Sequence, residues 1–252
     1  MELFPAFILA AVEGLTEFLP VSSTGHLILA SNLLGVRQTP FVTSFEIVIQ
    51  LGAILAVAVL YLRQLSAVRI IWPKLAVAFL PTAVTGFALY GIIKSEFFTH
   101  PDITVAALLI GGFILLFSDR IRLLPAAEIN SLSVPRLLLI GSFQSLSVIP
   151  GVSRAGAAIL GGLVSGLPRR QAVEFSFLLA VPTILAATVY DLVRSAGAFS
   201  PEELGLMFAG SLVAFITAAL AVKSFVTYVS GRSLAVFGWY RIAAAILFFL
   251  FA

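Results

Sequence analysis

Long apolar runs separated by short polar segments dominate the chain. Five to six of them are long enough to cross a bilayer as helices: roughly 44–63, 75–94, 102–118, 172–192, 206–226 and 236–251. About 20 residues suffice for one crossing. Two further apolar regions are interrupted. Residues 3–35 carry Glu13, Glu17, Pro20 and a Ser-Ser-Thr-Gly run, and residues 138–165 carry Gln144, Pro150, Gly151, Ser153, Arg154 and Gly156. Polar, irregular backbone at membrane depth survives only where it is buried in protein or lines a cavity. The pattern therefore predicts broken, re-entrant helical segments at these two places.

Composition agrees. The 252 residues are 60% hydrophobic and 11% charged, against about 25% charged in soluble domains, and mean hydropathy is +1.11. Lipid must cover much of such a surface. The length fits a single domain, 1–252. Met1-Glu2 opens without a basic segment or a small-residue cleavage site, so the first apolar run is expected to stay. Cysteine is absent, which excludes disulfides and thiolate metal sites. The net charge of +3 is better read through loop topology than as a nucleic-acid patch.

The two interruptions resemble each other. Leu15-Thr16-Glu17-Phe18-Leu19-Pro20 stands 130 residues before Ser145-Leu146-Ser147-Val148-Ile149-Pro150. Val21-Ser22-x-x-Gly25 then matches Val152-Ser153-x-x-Gly156 with one residue inserted, and Ile54-Leu55-Ala56 matches Ile184-Leu185-Ala186. Chance similarity of apolar segments explains the last match but not an ordered Pro, Ser and Gly. We expect an internal repeat, 1–120 and 131–252.

Loop charge sets the orientation of the halves. The 63–74 loop holds Arg63, Arg69 and Lys74, net +3, while its mate, 191–203, holds Asp191, Arg194, Glu202 and Glu203, net −2. The 94–102 loop holds Lys94, Glu96 and Asp102, net −1, and its mate holds Lys223 and Arg232, net +2. Basic loops lie cytoplasmic, and Arg169-Arg170 before the 172–192 span agrees. Each loop thus faces away from its mate, as in inverted-topology repeats whose broken helices meet near the midplane. The expected fold is an all-α polytopic membrane protein: an inverted repeat of about six full transmembrane helices and two re-entrant segments.

The first interruption carries the densest chemistry. Glu13 and Glu17, four apart, share a helix face. Pro20 ends that helix, and Ser22 is placed to cap the next. The helix start at Ser22, Ser23, Thr24 and Gly25 offers backbone N–H groups and a positive dipole end to an anion. His26 lies over the same end. The bland readings are a carboxylate pair snorkelling to the interface, and hydroxyls that only cap and pack. A mid-membrane charge costs at least about 2.5–3.5 kcal/mol, so two carboxylates beside three hydroxyls and a histidine point to function. In the second interruption Ser153 and Arg154 follow Pro150-Gly151. Arg154 suits either an ion pair with Glu13 or Glu17 or an anion clamp, because guanidinium matches phosphate bidentately. Glu46, Gln50 and Glu174 are either supports for the site or interfacial. Asp119, Arg120, Lys223 and Arg241 read as loop or interface residues, and Trp239 and Tyr240 suit an interfacial belt.

Glu13-Gly-Leu-Thr-Glu-Phe-Leu-Pro-Val-Ser-Ser-Thr-Gly-His26 closely resembles the first motif of bacterial undecaprenyl-diphosphate phosphatases, the bacitracin-resistance protein family. Phe45-Glu-x-x-Ile-Gln-Leu-Gly52, Pro150-Gly-x-Ser-Arg154 and Glu174-Phe-Ser-Phe-Leu-Leu-Ala-Val-Pro182 also match in order, across essentially the whole chain. The resemblance implies an inner-membrane hydrolase with a periplasm-facing site, which removes the terminal phosphate of a C55 polyprenyl diphosphate and recycles the lipid carrier for cell-wall synthesis. It implies a divalent cation, Mg²⁺ or Ca²⁺, and functional positions at Glu13, Glu17, Ser22, Ser23, Thr24, His26, Ser153 and Arg154. The expected partners are that lipid and the bilayer, with no nucleic acid and with room for a homodimer. The chain departs from the family pattern at Ala155 and Ala158, where Ser and Thr are usual.

Diphosphate hydrolysis needs charge neutralisation, an in-line nucleophile and a protonated leaving group. Ser23 is the candidate nucleophile, with His26 as base or acid. Arg154 and the Ser22–Gly25 helix start would hold the phosphates. Glu17, supported by Glu13, would orient His26 or hold the cation. A scheme without a covalent intermediate, in which Glu17 or His26 activates water on the metal, stays open. A polyprenyl-phosphate flippase is the competing class, since transporters share inverted repeats and a midplane anion site.

Overall fold

The computed structural model describes residues 1–89, 101–121, 124–194 and 199–251. Every regular element among them is helical. The first half runs α1 (Leu3–Thr16), α2 (Ser23–Leu33), α3 (Pro40–Leu60), α4 (Leu62–Ser66), α5 (Val68–Ala88) and α6 (Pro101–Leu116). The second runs α7 (Val134–Ser145), α8 (Arg154–Val164), α9 (Arg169–Arg194), α10 (Pro201–Val229) and α11 (Ala235–Phe251).

Local chemistry sets the helix starts. Thr39 accepts from Val42 N at 3.2 Å ahead of α3, and Pro40 follows where its missing N–H is harmless. Ser200 and Glu203 form a capping box on α10, with bonds of 3.2 and 2.8 Å. Glu202 and Glu203 are thus a helical first turn rather than a loop. Similarly, α5 begins at Val68, so Arg69 and Lys74 lie within its first two turns. Residues 90–94 of the expected second span, together with Glu96, lie outside the described residues.

Among the described residues, four helices are long and apolar enough to cross a membrane: Pro40–Leu60, Val68–Ala88, Arg169–Tyr190 and Pro201–Val229. The stretches 102–118 and 236–251 form shorter apolar helices, α6 of 16 and α11 of 17 residues. At 1.5 Å per residue these reach about 24–26 Å, slightly less than the roughly 30 Å of a bilayer core. The outer surface exposes large apolar side chains such as Phe87, Phe208 and Phe249, as a lipid-facing surface requires.

Packing interlocks the halves. α1 lies along α10, and α7 lies along α5. α3 packs on both α9 and α10, and α6 packs on α11. Each interrupted region is therefore backed by a long helix from the other half. Phe18, in the turn after α1, is fully buried and meets Phe177 of α9 edge-to-face at 5.5 Å. Phe177 also contacts Tyr61 at 6.0 Å and Phe225 at 6.1 Å. Such pairs contribute about 0.5–1.5 kcal/mol each beyond simple burial, and this cluster anchors the first interruption in the core.

Candidate active site

Both interruptions break in the same way, as helix, turn and serine-capped helix. After α1 ends at Thr16 the chain turns through Pro20, and Val21 N donates to Leu19 O at 2.8 Å. Ser22 has φ 73°, the only non-glycine positive φ among the described residues. Such a conformation costs about 1–3 kcal/mol and tends to mark functional sites. Its hydroxyl accepts from Gly25 N at 3.4 Å, so Ser22 caps α2. In the second interruption Gly151 has φ 90°, and a Cβ there would run into the Thr104 backbone. Ser153 then caps α8 by accepting from Gly156 N at 3.0 Å.

The two turns meet. Arg154 Nε and one terminal nitrogen donate to Glu17 Oε1 at 3.1 and 3.0 Å. The guanidinium also donates to Glu17 O at 3.4 Å and to Ser176 O at 3.1 Å, and lies 5.7 Å from the Phe18 ring centre. Ser153 Oγ donates to Leu19 O at 3.3 Å. The ion pair foreseen between the halves is present, with side chains only 10% and 8% exposed. Glu17's other oxygen, Oε2, accepts from Ser23 Oγ at 2.5 Å. One carboxylate thus holds a hydroxyl on the first residue of α2 and a guanidinium on the first residue of α8. Thr24 and Gly25 continue the first turn of α2, half-buried and buried respectively.

His26 faces elsewhere. Its Nδ1 lies 2.8 Å from Ser22 O and its Nε2 lies 2.7 Å from the Tyr240 hydroxyl. A carbonyl can only accept, so Nδ1 carries a proton, and Nε2 of the neutral ring accepts from Tyr240. Both ring nitrogens are engaged away from Ser23, whose hydroxyl donates instead to Glu17. Tyr240, expected in an interfacial belt, is half exposed but reaches the site through its hydroxyl.

Arg241 corrects the sequence reading more strongly. Expected at a loop or interface, it is 2% exposed. It donates to Pro20 O at 3.2 Å, Gly151 O at 2.8 Å, Ala107 O at 2.9 Å and Leu108 O at 3.3 Å. The missed signal was its place inside the apolar run 236–251, where an ionisable residue is functional by default.

Glu13 is fully buried, and neither carboxylate oxygen has a hydrogen-bond partner. Glu17, Glu46 and Arg154 are its ionisable neighbours. No cluster of three or more His, Cys, Asp or Glu with metal-binding placement occurs among the described residues. Two carboxylates, one of them lacking any donor, nevertheless fit a hard cation that completes its shell with water and phosphate oxygens. Glu46 accepts from Ser31 at 3.1 Å and Gln38 at 3.3 Å at the edge of this region. Glu174 is occupied elsewhere by Arg170 at 2.9 Å. Ala155 and Ala158 are 0% and 1% exposed.

A family model described as bacitracin resistance protein BacA matches residues 6–247. A protein of Aquifex aeolicus named undecaprenyl-diphosphatase is 47% identical over 251 residues, 98% of this chain and 98% of that one. Proteins of the same name from Wolinella succinogenes and Thermus thermophilus are 48% and 45% identical, over 100% and 98% of this chain and 98% and 96% of theirs.

Proposed function

The chain belongs to the bacitracin resistance protein BacA family, and we propose that it is an undecaprenyl-diphosphatase whose reacting groups are Ser23, Glu17 and Arg154. The observation that carries this is the single carboxylate of Glu17 shared between Ser23 Oγ and the Arg154 guanidinium. Arg154 and the N-termini of α2 and α8 bind the diphosphate, and incoming phosphate oxygens take over the Arg154 donors that Glu17 Oε1 accepts, while Glu17 Oε2 keeps Ser23 Oγ. Ser23 Oγ attacks the terminal phosphorus, and its proton passes to Glu17 Oε2. The bond to the bridging oxygen breaks and polyprenyl phosphate leaves. Water then hydrolyses the phosphoserine, releasing inorganic phosphate and restoring the serine. A divalent cation held by Glu13 and Glu17 would neutralise charge on the phosphate oxygens.

The architecture we infer is an inverted repeat, with α1–α2 re-entering from the periplasm and α7–α8 from the cytoplasm. What supports it is the clustering of basic residues at one end. Arg169 bonds Asp119 and the Arg232 carbonyl. Lys74 donates to Leu132 O, and Arg136 to Pro125 O and Ser165 O. By the positive-inside rule we assign this to the cytoplasmic end, so substrate would reach the Ser23 site from the periplasmic side of an inner membrane. The flippase alternative is not supported, because the relatives carry the diphosphatase name.

The test is phosphate release from farnesyl and undecaprenyl diphosphate by detergent-purified protein with Mg²⁺, Ca²⁺ or EDTA. Glu17→Ala and Arg154→Ala should abolish it. A folded wild type that binds the lipids but releases no phosphate under any condition would overturn the assignment.

A further inference from the structure

Arg241 is a buried cation without a carboxylate partner among the described residues; its four acceptors are all backbone carbonyls. They come from three separate places. Pro20 lies in the first interruption, Gly151 in the second, and Ala107 and Leu108 on α6. A full charge is taken out of water only where its bonds are worth keeping. A lysine could satisfy some of these acceptors, but only the planar fork reaches all of them at once. The room for that fork is specific too. Gly111 sits on the facing side of α6, and a Cβ there would overlap the guanidinium.

We propose that Arg241 is a positioning residue for the phosphate site, tying the Pro20 turn to the Gly151 turn so that the N-termini of α2 and α8 keep the separation a diphosphate needs. The inference rests on the diphosphatase reading for its kinetic consequence but not for its structural one. Pro20 stands two residues before the α2 cap, Ser22, and Gly151 two residues before the α8 cap, Ser153. A shift in either turn therefore moves Ser23 or Arg154 directly. The uncompensated positive charge also sits behind both turns, where it adds to the potential that attracts an anion.

The test uses the full-length protein in detergent: wild type, Arg241→Met, Arg241→Lys, Gly111→Ala and the double variant Gly111→Ala/Arg241→Met. Two quantities are read: kcat and KM on farnesyl diphosphate, and backbone hydrogen exchange over 18–26 and 149–157. Misplacing reacting groups by about 1 Å can cost about 10²-fold, so Arg241→Met should lower kcat by about that factor. Lys should restore part of the loss. Gly111→Ala, which keeps the charge and removes a helix-weakening glycine, should lower kcat by about 10-fold by displacing the fork, and the double variant should be no worse than Arg241→Met alone. Exchange should rise in both segments together. The proposal fails if exchange rises in only one segment or neither. It fails equally if Gly111→Ala and Arg241→Met effects multiply, or if folded Arg241→Met, or folded Arg241→Lys should Met not fold, keeps kcat within about 2-fold of wild type. A wild type that releases no phosphate would refute the diphosphatase reading, and the exchange measurement would still decide the tie.

Discussion

Ser23 Oγ lies 2.5 Å from Glu17 Oε2, six residues back along the chain. The contact exists because the helix stops at Thr16 and restarts at Ser23, with the strained Ser22 between them. An unbroken helix would place these two residues on different faces. The break creates a hydroxyl–carboxylate pair, and Arg154 from the other half completes it.

Ser23→Ala should remove the nucleophile and reduce turnover by at least about 10³-fold, while Glu17→Gln, which keeps the shape and removes the base, should cost about 10²–10⁴-fold. Rapid quench with labelled diphosphate should trap a phosphoryl-enzyme in the wild type but not in Ser23→Ala. Near-normal activity in Ser23→Ala would leave only direct attack by water.

Arg154→Lys should lose about 10²-fold in kcat/KM, because one ammonium cannot replace three nitrogens that now serve the Glu17 carboxylate, Glu17 O and Ser176 O. Arg154→Ala should also destabilise the fold, since breaking a buried pair costs about 3–5 kcal/mol. Steady-state kinetics and a thermal unfolding scan separate the two effects. Unchanged kcat/KM in Arg154→Lys would contradict the clamp.

Glu13→Gln should raise the divalent cation concentration needed for half-maximal activity by about 10–100-fold, the range typical when a supporting metal contact is lost. Direct titration with a luminescent lanthanide should show the same weakening in the absence of substrate. Equal cation affinity in wild type and variant would remove Glu13 from the metal role.

Tyr240→Phe should lower kcat about 3–10-fold with little change in KM, because it removes one hydrogen bond, of about 0.5–1.5 kcal/mol, that holds His26 Nε2. His26→Ala should cost more than Tyr240→Phe if the ring itself serves the reaction. Should the two variants behave alike, His26 would matter only through that bond.

Ala155→Ser and Ala158→Thr, which restore the hydroxyls usual in the family, should not raise activity by more than about 2-fold. Both methyl groups are buried in packing, and overfilling such a site costs about 1–3 kcal/mol. A lowered melting temperature with unchanged kcat is the expected result. A large gain in kcat would show that those positions reach the substrate after all.

The sequence by itself determined much here. Hydropathy located the helices, and Pro20 and Pro150 with the following serines located both breaks and both helix caps, Ser22 and Ser153, because capping is a local interaction within three residues. The motif around Glu13–His26 pointed to the family. The intramembrane economy of charge also required a partner for Arg154, either Glu13 or Glu17 or a bound anion, and the fold selects Glu17. What local reasoning could not settle was which groups meet. Arg154 reaches Glu17 across 137 residues and Tyr240 reaches His26 across 214. Arg241 reaches Pro20 across 221. Periodicity assigns a residue to a helix face but does not say what that face packs against. Read along the chain, Tyr240, near the start of an apolar run, suited an interfacial belt, and Arg241 a loop or interface. Only the packing of α11 on α6, beside both breaks, carried them to the site, and it put Tyr240 rather than Ser23 against His26. Tertiary structure decided this, because the free energy of those contacts depends on three separate segments arriving together, and no single stretch of sequence contains that information.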